Sequence, residues 1–431
     1  MSNYAAMIAK IDRVEEIQGA NAIQVAYVLG EPVIVSKEWQ VGKVGVFFAP
    51  DTELSEAFCK ANNLFRDATK NADPNKKGFF ENNRKVRAQP FMGVKSCGFF
   101  AGLECLDWTG YKEPHKVGDK FEVLNGHEIC KKFVNERTIR AQGNNQQKQA
   151  KKNFAPDFKE HVETDQFKYN LHQIKAGCII SIQSKKHGTS FRVSNTKVTK
   201  ELPRWQQLIN KVFPVFPEYE WKAIAGTRRV VLKPNEEDKT GFHGSEAYRF
   251  EVLEALKPHL SRGMTMYGEI VGFVNGKPIM GTHDITKLKD PEYTKKYGKT
   301  VTYSYGCNEG QYDFFVYRIA LTTEDGVSID LTQPQLIEFC KNRGIKHTLD
   351  LVEPFVYDGD SDKLTALVEY HTERPDVLTE DPTDPKHIAE GVIVRCDYHG
   401  LTPKFYKSKS KAFRILEGIF KEDNVDEEDA S

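Results

Sequence analysis

The sequence predicts two domains, a small β-barrel domain followed by an α+β domain. The chain has 431 residues, more than one ordinary hydrophobic core organises. Up to about residue 128 it shows short strand-like runs with little helical periodicity, whereas strand and helix patterns mix from residue 156 onward. Hydrophobic residues make up 39% of the chain and aromatic residues 11%, which fits a folded globular protein.

The predicted barrel comprises residues 1–128. Its strand-like runs include AIQVAYVLG, EPVIVSKEWQ and KVGVFFAP, which turn residues separate from one another. Short strands with frequent turns are typical of a small closed or partly open barrel. A polar interruption, RDATKNADPNKKGFFENN, lies within this region.

A composition change after residue 128 predicts a basic, polar linker over 129–155. It is rich in amide side chains, and between residues 131 and 152 it has seven lysines and arginines but only one acidic residue, Glu136. This composition is typical either of a solvated connector or of a segment that binds along the phosphates of a nucleic acid. The α+β domain is expected over 156–418. There CIISIQSK and SFRVSNTKV read as strands, LPRWQQLINKVF as an amphipathic helix, and QPQLIEFCKNRG as a helix that ends at Gly344. An acidic, disordered tail is expected over 419–431.

Charge and cysteine usage narrow the functional class. Lys+Arg and Asp+Glu both number 61, which excludes a uniformly basic nucleic-acid binder but permits a local basic groove. The longest apolar runs are too short for a membrane-spanning helix, and the amino terminus meets charge too early for a secretion signal. The eight cysteines form no CxxC pair, so we expect free thiols and an intracellular protein.

Several short polar motifs follow one another along the second domain. A Lys-Lys-His-Gly turn begins at Lys185 between two strands. Further along come Tyr267-Gly268-Glu269, the aromatic run Phe314–Tyr317, Glu390-Gly391 and Lys407-Ser408-Lys409. A lysine at a sheet edge becomes a nucleophile when desolvation or nearby cations lower its pKa. Lys407 and Lys409 alternate on a strand, so both should project to the same side, where they suit a triphosphate.

In this order and at these separations, the motifs resemble those of the covalent nucleotidyltransferases, the superfamily of ligases and capping enzymes. The Lys-x-His-Gly form of the first motif resembles RNA ligases. The stretch Arg87–Gly98 is similar to the OB-domain signature of the Deinococcus- and Naegleria-like ATP-dependent RNA ligases. The resemblance covers residues 1–415. It implies an α+β fold with an amino-terminal OB-like β-barrel that binds RNA, followed by an adenylyltransferase domain of ATP-grasp-like antiparallel sheets.

The resemblance also implies a role for each motif. Lys185 would attack ATP and carry AMP covalently, and Lys407 and Lys409 would stabilise the phosphates. Glu390 would act in catalysis and hold Mg or Mn, through water, while Glu269 would bind the ribose. Tyr317 and Phe315 would contact adenine. Further nucleotide contacts are expected from His187, Gly188, Arg228, Thr164 and Gln166, with Arg229 as the register alternative to Arg228.

The implied activity is ATP-dependent joining of RNA 3′-hydroxyl and 5′-phosphate ends, through lysyl-AMP and RNA-adenylate, in RNA repair by a monomer. A basic loop with Lys76, Lys77, Arg84, Lys85 and Arg87 would help the OB domain hold RNA. Three alternatives remain open: a DNA ligase, an mRNA-capping guanylyltransferase and a non-catalytic OB-containing RNA-binding protein. The first two typically place an OB domain after the last lysine motif, whereas here the candidate OB domain comes first.

Overall fold

The computed structural model describes residues 3–92, 94–134, 154–233, 240–241, 243–374, 387–398 and 402–417. These residues form two compact units. The first comprises residues 3–134 with Asp165–Gln173, and the second comprises 154–164 with the described residues from 174 to 417. The predicted domain boundaries stay predictions. Most of the proposed linker and all of the proposed acidic tail lie outside the described residues.

The first unit is built mainly of antiparallel strands. They are β1 (Ala6–Glu16), β2 (Ile23–Val28), β3 (Glu31–Ser36), β4 (Val44–Phe48), β5 (Thr52–Leu54), β6 (Ala88–Phe91), β7 (Val94–Cys97), β8 (Phe99–Gly102), β9 (Lys120–Phe121), β10 (Val123–Leu124), β11 (His127–Glu128) and β12 (Cys130–Lys132). Helices are α1 (Glu56–Ala61) and α2 (Phe167–Asn170), with 3₁₀ turns at Ala68–Lys70, Leu103–Thr109 and Leu171–Gln173.

A long first strand organises this unit. The carboxyl-terminal half of β1 pairs with β2, and its amino-terminal half pairs with β4 and β9. A register shift between Ile11 and Arg13 marks the change. Such an irregularity bends a strand so that it can serve two parts of a curved sheet. The resulting six-stranded sheet has the order β3-β2-β1-β4-β8, with β9 beside β1, and is a half-barrel.

The second unit includes Thr164, the first residue of β13 (Thr164–Gln166). Its further strands are β14 (Ile179–Ser184), β15 (Thr189–Thr199), β16 (Tyr219–Thr227), β17 (Thr240–Gly241), β18 (Gly244–Ser245), β19 (Met264–Val274), β20 (Lys277–Pro278), β21 (His283–Asp284), β22 (Thr300–Val301), β23 (Tyr312–Thr322), β24 (Ser328–Asp330), β25 (Phe355–Val356), β26 (Gly391–Asp397) and β27 (Lys404–Lys409). Its helices are α3 (Arg204–Asn210), α4 (Ala247–Leu256), α5 (Pro291–Tyr297), α6 (Gln333–Lys341), α7 (Ser361–Thr372) and α8 (Lys411–Leu416), with 3₁₀ turns at Lys257–His259 and Ile285–Leu288.

Two antiparallel sheets dominate the second unit. One has the order β16-β15-β19-β23-β24, and the other contains β27-β26-β14-β25. The largest apolar cluster lies between the first of these sheets and helices α4 and α6, and includes Val193, Leu253, Met266 and Leu336. Antiparallel sheets combined with helices confirm the expected α+β class. The helix predicted in QPQLIEFCKNRG is found as α6, which begins with a capping box at Thr332 and Gln335 and ends at Lys341, three residues before the predicted end at Gly344.

Candidate active site

A cavity in the second unit collects most of the predicted site residues. It encloses about 880 Å³ of empty space, its open mouth included. Seven predicted residues line it: Thr164, Lys185, Gly188, Arg228, Glu269, Tyr317 and Lys407. They come from distant parts of the chain, and the fold brings them together around this cavity.

Lys185 directly follows β14 at one edge of the cavity. Its Nζ lies 2.8 Å from Oε1 of Glu390, and the side chain is 13% exposed. Its backbone nitrogen donates to the carbonyl oxygen of Gly391 at 3.1 Å. Gly391 has a φ of +147°, and a Cβ there would collide with the carbonyl oxygen of Ser408. Glycine is therefore required for β26 and β27 to hold Glu390 against Lys185.

Glu390 is fully buried and contacts two ammonium groups. Lys409 lies 3.5 Å from Oε1 of Glu390, the oxygen that Lys185 also contacts. Lys409 makes a shorter, two-oxygen contact with Glu417, at 2.7 and 3.0 Å. Buried charges of opposite sign stabilise one another when they are held this close. The predicted catalytic residues Lys185, Glu390 and Lys409 therefore form one network, while Lys407 faces the cavity.

His187 and Gly188 fix the turn after Lys185. The His187 backbone nitrogen donates to the Tyr305 hydroxyl at 2.7 Å. Its ring lies 3.8 Å from Oε2 of Glu390 through Nδ1 and 3.3 Å from His283 through Nε2. A Cβ on Gly188 would stand 2.5 Å from the carbonyl oxygen of Ile270, so glycine allows the turn to approach β19. His187 thus contacts Glu390 but is not one of the residues that line the cavity.

Glu269 and Tyr317 line the cavity from the neighbouring strands β19 and β23. The register of this pair shifts where Tyr267 opposes Arg318 and Gly268 opposes Val316, so Tyr317 lies in a β-bulge. Bulges re-aim side chains near functional sites. Burial, followed by the nearby charge of Glu269, raises the pKa of Tyr317 well above its ordinary value. Tyr317 is therefore a neutral ring that can stack on a base.

Phe315 and Gln166, two further predicted nucleotide contacts, lie outside the cavity lining, as His187 does. Phe315 packs in an apolar cluster with Val271, Ile285 and Tyr303, outside the cavity lining. Gln166 belongs to the first unit, where its backbone nitrogen donates to Oδ1 of Asn3 at 2.9 Å. Their proposed roles stay predictions without support from this placement.

The structure adds residues that the sequence did not single out. His161 lines the cavity in contact with the rings of Tyr317 and Phe405, at centroid distances of 4.9 and 5.0 Å. Burial, followed by the positive charges of arginines 318, 228 and 395, lowers its pKa well below 6.5. His161 is therefore a neutral imidazole at neutral pH. It lies three residues before Thr164, but its residue type alone gave no signal in the sequence.

A second unanticipated residue is Lys186, which directly follows Lys185. It is 3% exposed, and its ammonium lies 4.6 Å from the ring centroids of both Tyr305 and Phe315. Aromatic faces stabilise a desolvated cation in this arrangement. The core aromatic Phe315 therefore contributes to the site through Lys186.

A divalent cation has candidate ligands beside the cavity. Within the described residues, His187, Glu390 and Glu417 each place one ligand atom so that all three lie within 4.8 Å of one another. Oε2 of Glu390 is buried and accepts no hydrogen bond from the described part of the chain. Carboxylate oxygens suit Mg and Mn, and an imidazole suits transition metals. The donor set therefore fits the expected metal, with Glu390 at its centre.

Lys185 beside buried Glu390, at the edge of a cavity that Lys407 also lines, is the arrangement that the resemblance to the covalent nucleotidyltransferases predicts. The family model for RNA ligase matches residues 179–410, which is more than half of the chain. The protein therefore belongs to the RNA ligase family. No curated protein matches the chain.

Solved structures agree in fold. Naegleria gruberi RNA ligase with PPi has 16% sequence identity to this chain and a TM-score of 0.53. Mutants of the same enzyme with ATP and Mn and with AMP and Mn each have 14% identity and a TM-score of 0.52. All three comparisons cover 95% of this chain and 97% of the other. The expected fold class is thereby confirmed over almost the whole length. None of the described helices is both long and apolar enough to cross a membrane.

Proposed function

We propose that this protein is an ATP-dependent RNA ligase that seals 3′-hydroxyl and 5′-phosphate ends. The observation that carries the proposal is the 2.8 Å contact between Lys185 and buried Glu390 at the edge of the cavity that Glu269, Tyr317 and Lys407 also line. Membership of the RNA ligase family favours RNA over DNA as the substrate and ligation over capping. The neighbours solved with ATP, AMP and Mn support the choice of nucleotide and metal.

The first step forms a bond between Lys185 Nζ and the α-phosphorus of ATP. Lys185 gives up one proton to solvent before it attacks and a second one after the bond forms, so the phosphoramidate nitrogen keeps one hydrogen. The bond between the α-phosphorus and pyrophosphate breaks, and pyrophosphate leaves. Glu390 lies close enough to hold and orient the amine. Lys407, and Lys409 once released from its carboxylates, stabilise the charge that develops on the phosphates. Covalent capture splits a difficult activation into easier steps.

The nucleoside occupies the rest of the cavity. Tyr317 stacks on adenine, and Glu269 accepts hydrogen bonds from the ribose hydroxyls. Arg228 and Thr164 line the same space and contact the sugar or the RNA end. A divalent cation held through water by Glu390 would neutralise phosphate charge. Mg and Mn both suit this oxygen-rich site.

The later steps use the same cavity. The 5′-phosphate of RNA displaces Lys185 and takes the AMP, which gives RNA-adenylate. The RNA 3′-hydroxyl then attacks the 5′-phosphorus, AMP leaves, and a phosphodiester forms. We propose that this reaction serves RNA repair inside cells and that the protein acts as a monomer. The free, buried state of all eight cysteines supports a reducing compartment.

We propose that residues 1–128 bind RNA as an OB domain. Of the five basic loop residues, Arg84 contacts Glu53 at 2.6 Å and Lys85 contacts Asp51 at 2.8 Å, so these two stabilise the loop itself. Lys76 and Lys77 are exposed beside Phe79, whose side chain is 57% exposed. Exposed cations beside an aromatic ring suit single-stranded nucleic acid. RNA contact is therefore assigned to Lys76 and Lys77.

Labelling with nucleotide tests the function. Full-length protein is incubated with α-³²P-labelled ATP or GTP and a divalent metal, and then with nicked RNA and DNA duplexes. We expect covalent label from ATP, none in Lys185→Ala, and sealing of RNA nicks. Label from GTP alone would favour capping, and sealing of DNA alone a DNA ligase. RNA binding without any label in the wild type would favour the non-catalytic alternative.

A further inference from the structure

The two lysines of the last motif lie in different environments. Lys407 and Lys409 are two residues apart on β27, and Lys407 lines the cavity. The side chain of Lys409 is only 9% exposed and lies outside the cavity lining. Its ammonium contacts the two oxygens of Glu417 at 2.7 and 3.0 Å. The protein thus supplies Lys409 with a counter-ion of its own.

Glu417 resembles a phosphate in what it offers to Lys409. A carboxylate presents two negatively charged oxygens to an ammonium, as a phosphate group does. The other carboxylate near Lys409, Glu390, lies farther away at 3.5 Å, and its Oε1 is already in contact with Lys185. Glu417 is therefore the principal partner of Lys409 in this structure.

Local backbone electrostatics do not explain the position of Glu417. The residue directly follows α8 as its C-cap. A carboxylate is disfavoured at a helix carboxyl terminus because unpaired carbonyl groups concentrate negative charge there. The contact with Lys409 offsets this repulsion. A glutamate here is thus accounted for by its cationic partner.

We propose that Glu417 is an internal substitute for nucleotide phosphate, which holds Lys409 while the cavity is empty and releases it when a polyphosphate binds. The inference rests on the proposed function, since it requires a nucleotide in this cavity. Once released, Lys409 joins Lys407 at the phosphates. Glu417 is a positioning residue that competes with the ligand for one cation, and its charge lowers the affinity for polyphosphate.

Affinity for pyrophosphate tests the competition. Full-length wild type, Glu417→Gln, Lys409→Met and the double variant are titrated with pyrophosphate by calorimetry in metal-free buffer. Glu373→Gln is the matched control, because Glu373 is an exposed carboxylate that accepts a hydrogen bond from the backbone at the start of α8, at 3.1 Å. We expect Glu417→Gln to bind pyrophosphate five- to tenfold more tightly than wild type, and Glu373→Gln to bind as wild type does.

The double variant separates competition from a structural role. If Glu417 acts through Lys409, Glu417→Gln has no effect on pyrophosphate affinity in the Lys409→Met background. Equal or weaker binding by Glu417→Gln would overturn the inference. Weaker binding together with a higher Mn requirement for labelling would instead make Glu417 a metal ligand, in line with its closeness to His187 and Glu390.

The two proposals fail in different ways. If the wild type binds pyrophosphate and labels Lys185 with AMP, but Glu417→Gln binds no more tightly, only the role of Glu417 is wrong. If the wild type neither binds pyrophosphate nor accepts label from any nucleotide, the proposed function fails and this inference fails with it.

Discussion

The backbone nitrogen of His187 donates a hydrogen bond to the Tyr305 hydroxyl at 2.7 Å, and the same tyrosine ring covers the ammonium of Lys186. One side chain therefore restrains two consecutive residues of the turn that follows Lys185, the proposed nucleophile. Because Lys185 is the preceding residue, this restraint limits the positions that its amine can adopt. Tyr305 also belongs to an apolar cluster, so it connects that cluster to the edge of the cavity at Lys185.

Lys186→Met should slow nucleotide transfer while preserving the fold. Methionine has similar length and packs well against aromatic rings, but it removes a positive charge beside the nucleophile. We expect about a tenfold lower kcat/KM for AMP labelling, equivalent to about 1.4 kcal/mol. Thermal unfolding should change by only a few degrees. The exposed Lys295→Met is the control, and equal labelling by wild type and Lys186→Met would contradict a role for the charge.

Glu390→Gln should abolish labelling and lower stability together. Removal of one partner from a buried ion pair leaves uncompensated charge, which typically costs about 3–5 kcal/mol. Both Lys185 and Lys409 lose their shared carboxylate in this variant. We expect labelling to fall more than 100-fold, measured beside the melting temperature. Exposed Glu292→Gln is the matched control. Near-normal labelling by folded Glu390→Gln would exclude Glu390 from the reaction.

Substitutions of Tyr317 should separate stacking from its hydroxyl group. Tyr317→Leu removes the aromatic face, and loss of base stacking is worth about 1–3 kcal/mol. We therefore expect KM for ATP to rise about tenfold or more in labelling assays. Tyr317→Phe keeps the ring and should stay within about threefold of wild type. If both variants weakened ATP equally, the hydroxyl and not the ring would be the important group.

Asp350→Asn should change the pH dependence of stability. Burial is the largest effect on Asp350 and raises its pKa to about 6. Hydrogen bonds with Gln183 and Gln333 and the charge of Arg395 lower the pKa, but by less. Because the pKa of Asp350 is higher in the folded protein than in the unfolded chain, its contribution to the free energy of unfolding is fully present below about pH 4. That contribution is lost as the pH rises through about 6. The loss is at most about 3 kcal/mol. Unfolding in urea at pH 5 and 8 should therefore show a smaller decline in Asp350→Asn than in wild type. An unchanged decline would locate the titration elsewhere, and exposed Asp362→Asn is the control.

The ordered motifs predicted the site better than any single residue did. Lys185, Glu269, Tyr317 and Lys407 meet in one cavity although more than 200 residues of chain separate the first from the last. The resemblance of the ordered motifs to those of known ligases singled out these positions, and each of them lies on or directly beside a strand. Phe315 shows the limit of this reasoning. Periodicity places it correctly on a strand, but only packing decides whether an aromatic ring meets a ligand or a core.

The residues that sequence reasoning missed depend on contacts between distant segments. Glu417 follows the last motif and belongs to no recognisable sequence pattern. Helix α8 places it, at the carboxyl end of the helix, in contact with Lys409. The predicted helix in 202–213 was found as α3, but its amphipathic pattern does not correspond to burial: Trp205 and Leu208 are 56% and 63% exposed. Periodicity predicts a helix face, and tertiary structure determines whether anything covers it.

The burial of all eight free thiols gives this protein an intrinsic reporter of unfolding. A thiol must reach solvent and ionise before it reacts with an alkylating reagent, and burial raises the pKa of Cys59 and Cys130 to about 12. Alkylation rates, read peptide by peptide in a mass spectrometer, would therefore report local opening at eight positions spread over both units. Nucleotide bound in the cavity should slow the alkylation of Cys178, which directly precedes β14, and of Cys396, which lies in β26. The experiment needs no engineered label.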